Sequence, residues 1–180
     1  MQASPADLVR RRFMEVHGAT VRPAYGELLQ VQDSDGARGA LGYRRAAGEV
    51  LFLERYLDAP VETILSAALG QPVARRDVIE IGNLAAADPF AMISLWGMAA
   101  NDLGSDCDFA VATLTAPLRA MFARLGITLH VLARAGIERA DQPRIWGRYY
   151  ETDPMVCAGR IAQGQQAIAA FLARRRRMAA

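Results

Sequence analysis

Apolar residues recur along this chain at two different spacings. Where they return every third or fourth position they predict helices, and where they run together or alternate they predict strands. The first helical stretch puts Leu8, Val9, Phe13 and Val16 on one face. Ser4-Pro5-Ala6-Asp7 precedes it with a cap, a proline at the first helical position and an acid at the third. Asp58, Pro60 and Glu62 open a second helix, which Gly70 closes. Asp88-Pro89 opens a third, with Met92, Leu95, Trp96 and Ala99 at helical spacing and Gly104 at its end. Thr115 and Pro117 open a fourth, with Leu118, Met121, Phe122 and Leu125 inward and Gly126 as the stop. A last helix runs from about Gln163 to Arg177.

Strands fall between these helices. Glu27 to Val31 leads into the turn Asp33-Ser34-Asp35-Gly36, and Ala40 to Tyr43 returns from it as a hairpin. Val50 to Leu53 adds a further strand. Asp77 to Ile81, Phe109 to Leu114 and Ile127 to Leu132 read as buried strands, and Val156 to Ile161 as a weaker one. The order is helix, hairpin, helix, strand, helix, strand, helix, strand. A hairpin followed by βαβαβ units predicts an α/β fold: one mixed sheet with helices on both faces. Asp77 to Ile81 and Phe109 to Leu114 should be parallel neighbours that diverge at one end. No repeat, linker or low-complexity segment interrupts residues 1–180, so a single domain is expected.

Composition narrows the chemistry. Hydrophobic residues make up 52% and charged residues 22%, as in ordinary globular proteins. No apolar run is long enough to span a bilayer, and MQASPADLVRRR lacks the apolar core of a secretory signal. A cytoplasmic location follows as the expectation. Two cysteines, Cys107 and Cys157, each in an apolar stretch, predict buried thiols rather than a disulfide framework. With only His17 and His130, and no CxxC or HExxH, no metal site is expected. Every basic residue is arginine, and the absence of lysine excludes a pyridoxal phosphate Schiff base and a lysine nucleophile. A net charge of +2 gives no reason to expect nucleic acid. The run Arg174 to Arg177 reads as a solvated helix end, with an anionic partner or peripheral membrane contact as the alternative.

Glu80 stands out because it interrupts the apolar run Val78 to Ile81. A carboxylate buried there must find a partner or a raised pKa. It is either a general base or half of a structural ion pair with an arginine such as Arg44, and the two are compatible. Glu54 lines an acceptor pocket or caps the following helix. Asn83 orients a carbonyl or holds a turn. Trp146, Tyr149 and Tyr150 form an acyl-chain wall or pack the core.

Three segments carry a resemblance: LFLERYLDAPVE (51–62), VIEIGNLA (78–85) and WGRYYETDPMVCAG (146–159). Together they resemble the thermostable hemolysin family, over most of the chain. That family is in turn similar to the GNAT superfamily, and more narrowly to acyl-homoserine lactone synthases. The resemblance implies a GNAT-like mixed central sheet flanked by helices. It implies transfer of an acyl group from an activated donor to an amine or hydroxyl, such as a small amine acceptor. Gly42-Tyr43-Arg44 falls where the synthases carry an arginine on a central strand. Glu80-Ile81-Gly82-Asn83 falls where they carry a glutamate and, three residues on, an arginine. Asn83 departs from that pattern, which argues against a homoserine-type substrate. Thr115 to Ile127 resembles the ending of many acetyltransferases.

In such folds the phosphopantetheine arm pairs with splayed strands, and the coenzyme A pyrophosphate meets a helix N-terminus. The matching loop here is Asn83 to Phe90, with Leu84, Ala85 and Ala86 as the donor-binding residues. Its glycine-rich form is missing. Ala87-Asp88-Pro89 instead places an acid where the anion would sit. The resemblance therefore implies acyl-phosphopantetheine or acyl-CoA as a donor substrate, with no tightly bound cofactor. An acyl-carrier protein or an acyl-adenylate avoids the pyrophosphate problem. The competing readings are an inactive GNAT-like binding module and a hemolysin that acts on membranes directly.

Overall fold

The computed structural model of the protein describes residues 4–34 and 36–179. Asp35 of the expected turn and residues 1–3 lie outside the described residues. Helix α1 (Pro5–His17) starts where the capping pattern places it. The Ser4 side chain accepts from the Asp7 N–H, and the Asp7 side chain returns to the Ser4 N–H. Gly18, in the left-handed region, closes it. Strands β1 (Glu27–Asp33) and β2 (Gly36–Arg45) form the expected antiparallel hairpin. Helix α2 (Val61–Leu69), strand β3 (Val78–Ala86), helix α3 (Pro89–Leu103), strand β4 (Phe109–Leu114) and helix α4 (Ala116–Arg124) follow. Strands β5 (His130–Arg134) and β6 (Met155–Arg160) and helix α5 (Ile161–Ala179) complete the order.

The sheet is six-stranded, in the order β1-β2-β3-β4-β6-β5. Only β3 and β4 are parallel, and the other pairings are antiparallel. Strand alternation sorts the core onto two faces. Ile79, Ile81, Ala112, Leu114 and Cys157 pack with α3, α4 and α5. Val78, Val111, Val156 and Ala158 face the other way, towards α2 and the segment 51–57. A third cluster joins α1 to Tyr149 and Ala85. Helices therefore cover both faces, as the element order predicts. Cys107 and Cys157 are both buried and free, and Arg174–Arg177 form an exposed end of α5. No helix among the described residues is long and apolar enough to cross a membrane.

The expected strand Val50 to Leu53 does not form. Those residues enter a 3-10 turn, Phe52–Tyr56, and the reason is chemical. The N–H groups of Phe52 and Leu53 donate to the Glu80 carboxylate, at 2.7 and 2.9 Å, so no strand can use them. Val16 is exposed, because α1 ends one residue later at the mouth of an open cleft. Strand β5 begins at His130 rather than Ile127, whose N–H turns back to the Phe122 carbonyl to finish α4. Helix α5 begins at Ile161, directly on β6.

The most consequential difference lies after Ile81. The expected loop from Asn83 is instead a continuation of β3 to Ala86. Asn83 sits at φ 50°, a left-handed conformation that asparagine tolerates, and the pairing with β2 slips between Ala40 and Gly42. Leu84, Ala85 and Ala86 therefore belong to a strand rather than to a phosphate loop.

Candidate active site

The pairing of β3 with β4 runs from Val78↔Phe109 to Ile81↔Ala112 and stops there. Beyond that point β3 stays with β2 as far as Ala86, and β4 stays with β6 as far as Leu114. The two strands part, as expected, and backbone groups that would have paired are released into the gap. A cleft of about 1100 Å³ opens there, bounded by α1, the segment 20–25, the turn 50–56 and the aromatic segment 141–152. Its lining includes Arg12, Arg22, Arg44 and Arg55, against Asp141 as the acid.

Glu80 and Arg44 are Cα partners across β3 and β2, so their side chains share a face. Arg44 Nε lies 3.7 Å from the carboxylate. Glu80 is almost fully buried, and burial raises its pKa above the ordinary carboxylate value. The Phe52 and Leu53 N–H groups, the Tyr25 hydroxyl and Arg44 act against that shift by favouring the charged form. The structure places Glu80 in an ion pair with Arg44 and in surroundings that raise its proton affinity. The carboxylate does not itself line the cleft. It sits behind Tyr25, Arg44 and Phe52, which do.

Arg44 also works as a clamp. It donates to the Ala24 carbonyl at 2.8 Å and the Val50 carbonyl at 3.2 Å, tying both flanking segments to the sheet. Its guanidinium covers the Tyr25 ring, 4.7 Å from the centroid.

Asn83, Leu84, Ala85 and Ala86 all line the cleft, as do Trp146 and Tyr149. Glu54 and Tyr150 are not brought to it. Glu54 accepts from the N–H groups of Leu51 and Val61 and from Arg75, which hold its carboxyl down at about 2. That is the cap reading, not the pocket reading. Tyr150, partly buried against the core, shares a 2.6 Å hydrogen bond with the Tyr56 hydroxyl. Trp146 and Tyr149 pack against Phe13, Phe52 and His17 in one aromatic wall, mostly edge-on or tilted.

Several buried polar atoms around the cleft have no hydrogen-bond partner: Arg44 Nε, Asn83 Nδ2, Thr113 Oγ1 and Trp146 Nε1. Native interiors hold few such atoms, and four of them belong to residues that line this one cavity. Sequence reasoning missed Tyr25, His17 and Thr113. Tyr25 lies in coil with no periodic signal. His17 ends a helix, where a cation complements the dipole, although burial and Arg148 lower its pKa. Thr113 was read as one more strand residue.

The N-terminus of α3 points at no free anion site. The Asp88 carboxylate accepts from the Ala91 N–H at 2.9 Å, Arg38 pairs with it at 2.5 Å, and Pro89 contributes no N–H. Among the described residues no group of histidine, cysteine and carboxylate side chains could hold a metal ion.

A family model described as thermostable hemolysin matches residues 2–165 of the chain. No curated protein matches it by sequence. Solved structures do match it in shape. TofI in an apo form superposes with a TM-score of 0.61 at 16% identity, covering 91% of this chain and 86% of TofI. FeeM, an N-acyl amino acid synthase from uncultured soil microbes, gives 0.60 at 13%, covering 91% and 92%. BjaI, a CoA-dependent acyl-homoserine lactone synthase solved with SAM and isopentyl-CoA, gives 0.62 at 12%, covering 92% and 79%. The shared feature is the GNAT-like fold.

Proposed function

The chain belongs to the thermostable hemolysin family, and we propose that it is an acyltransferase. It moves an acyl group from an activated donor to an amine or hydroxyl acceptor held in the cleft. One observation carries the reading: the cleft lies where β3 and β4 part and leave backbone groups without a strand partner. A thioester arm laid in that gap can pair with the freed backbone groups, while Asn83 or Trp146 polarises its carbonyl. Glu80 takes up the acceptor's proton. The arginines around the mouth favour an anionic group on donor or acceptor. The aromatic wall of Trp146 and Tyr149 accommodates an acyl chain. The product joins an apolar chain to a polar head, as a detergent does. The lysis in the family's name is then a property of that product.

The donor is an acyl-carrier protein or an acyl-adenylate rather than free coenzyme A. The capped α3 start supports this choice, because a pyrophosphate there would meet the Asp88 carboxylate instead of open N–H groups. Free coenzyme A should bind weakly in calorimetry. Binding at micromolar or tighter would overturn the donor assignment. The test of the reaction itself is turnover: protein incubated with each donor class and a pool of amines, with products identified by mass spectrometry.

The second reading is a GNAT-like binding module without turnover. It is favoured by the engagement of both Glu80 oxygens with backbone N–H groups. Native mass spectrometry showing a retained ligand, with no product from any donor, would select it.

A further inference from the structure

Two facing glycines set the position of Tyr25. Gly42 and Gly82 are Cα partners across β2 and β3. A Cβ at Gly42 would lie 2.6 Å from the Tyr25 Cβ and Cγ, and one at Gly82 would collide with the Tyr25 hydroxyl oxygen. Two side chains are thus missing at opposed positions of the sheet, and the aromatic ring fills the notch. Arg44 covers the ring and holds the neighbouring Ala24 carbonyl, so the ring is pinned. The hydroxyl rests against Gly82 on the cleft wall, and Glu80, two residues before Gly82 on β3, projects from the same face of the sheet. Tyr25 lines the cleft and Glu80 does not. Of the three residues named above as standing between Glu80 and the cleft, Tyr25 is the one whose hydroxyl can take up one proton and pass on another.

We infer that Tyr25 is a catalytic residue, a relay that carries the acceptor's proton to Glu80. The inference rests on the acyl-transfer reading above. With a thioester donor and an amine acceptor, the nitrogen attacks the carbonyl carbon and the C–N bond forms. The nitrogen's proton moves to Tyr25 Oη as the phenol's own proton moves to Glu80. The C–S bond then breaks with its electron pair on sulfur. The thiolate takes a proton from solvent, and Glu80 releases one to solvent, so each cycle ends with amide and thiol and an unchanged enzyme. A relay must hold its own proton between cycles. Burial, with Glu80 beside it, raises the Tyr25 pKa well above its ordinary value, and Arg44 opposes this only in part.

The test is Tyr25→Phe, which keeps the ring in its notch and removes only the hydroxyl. In single-turnover acyl transfer the rate should fall by about 100-fold or more, with the donor KM nearly unchanged. Tyr25→Phe/Glu80→Gln should be no slower than Glu80→Gln alone, because a relay without its terminal acceptor transmits nothing. A merely structural tyrosine would lower the melting temperature and give losses that multiply in the double variant. Should Tyr25→Phe fail to fold, a proton inventory on the wild type decides. Two protons moving in one step give a curved plot against deuterium fraction, and a straight plot overturns the relay. Wild-type rates in folded Tyr25→Phe, or multiplying losses, also overturn it and leave acyl transfer standing. A wild-type protein that transfers acyl groups from no donor class overturns both.

Discussion

Glu80→Gln should lower single-turnover acyl transfer by about 100- to 10,000-fold, the usual effect of losing a general base. The amide preserves volume and cannot accept the proton. It also has a structural cost. Phe52 and Leu53 each donate to one carboxylate oxygen, and the amide offers an acceptor to only one of them. Leaving a buried N–H unsatisfied costs about 1–3 kcal/mol, so the melting temperature should fall as well. The rate must therefore be taken per folded molecule. Arg44→Met is the matched control. It removes the ion pair and the ties to Ala24 and Val50 but leaves the carboxylate. It should lose stability while keeping far more turnover than Glu80→Gln. The acid limb of the wild-type rate should report an apparent pKa above the ordinary carboxylate value, because burial raises Glu80 and only its ionised form accepts a proton. Full activity in folded Glu80→Gln would end the assignment. Glu54 could not then replace it, since its oxygens are already bound by Leu51, Val61 and Arg75.

Arg75→Met should destabilise the fold by about 3 kcal/mol, the lower part of the range for breaking one side of a buried ion pair. The lower part applies because the Arg75 side chain is 28% exposed. It bonds Glu54 at 2.6 Å, Glu62 at 2.8 Å and the Ala46 carbonyl at 2.7 Å. Without it, two carboxylates face each other beneath the turn that borders the cleft. The pH dependence distinguishes this site from Glu80. The Glu54 carboxyl is lowered from 4.5 to about 2, chiefly by Arg75. The stability it supplies is complete above about 4.5 and is lost as pH falls towards 2. Glu80 has the opposite sign: its pKa is raised, so its ionisation costs stability as pH rises past 4.5. Urea denaturation across that range should show a steep acid loss in the wild type and a flatter one in Arg75→Met. An unchanged acid limb would exclude Arg75 as the cause.

The parts of this fold legible from sequence are those governed by local rules. Caps at Ser4 and Asp88, the closing Gly70 and the period of Leu95, Trp96 and Ala99 each place a helix to within a residue or two. The parts that were not legible depend on partners distant in the chain. Val50 to Leu53 is apolar enough for a strand, and only a carboxylate 27 residues later turns it into a 3-10 turn. Asn83 to Ala86 reads as a loop, but β2 is there to pair with it. The position of β6 between β4 and β5 is likewise invisible to periodicity. The same division holds for the cleft. Glu80 announces itself because charge in an apolar strand is costly, and Arg44 enters as its candidate partner and through the resemblance. Tyr25 does not, because what holds it is the absence of two side chains, at Gly42 and Gly82.

The burial of Cys107 and Cys157 has a consequence for chemoselectivity. An activated acyl donor reacts with any accessible thiolate or free amine, and a protein that handles one is its own nearest competitor for it. Here both thiols are sealed in the core, and burial raises their pKa, that of Cys157 to about 11. The reactive thiolate is therefore scarce at neutral pH and out of reach. Lysine, the usual side-chain amine, does not occur in the chain at all. The salt links on its surface are built from arginine, whose delocalised guanidinium is a poor nucleophile. Neither thiol nor lysine amine is left to divert the acyl group by self-acylation, so the cleft meets little competition from the rest of the molecule.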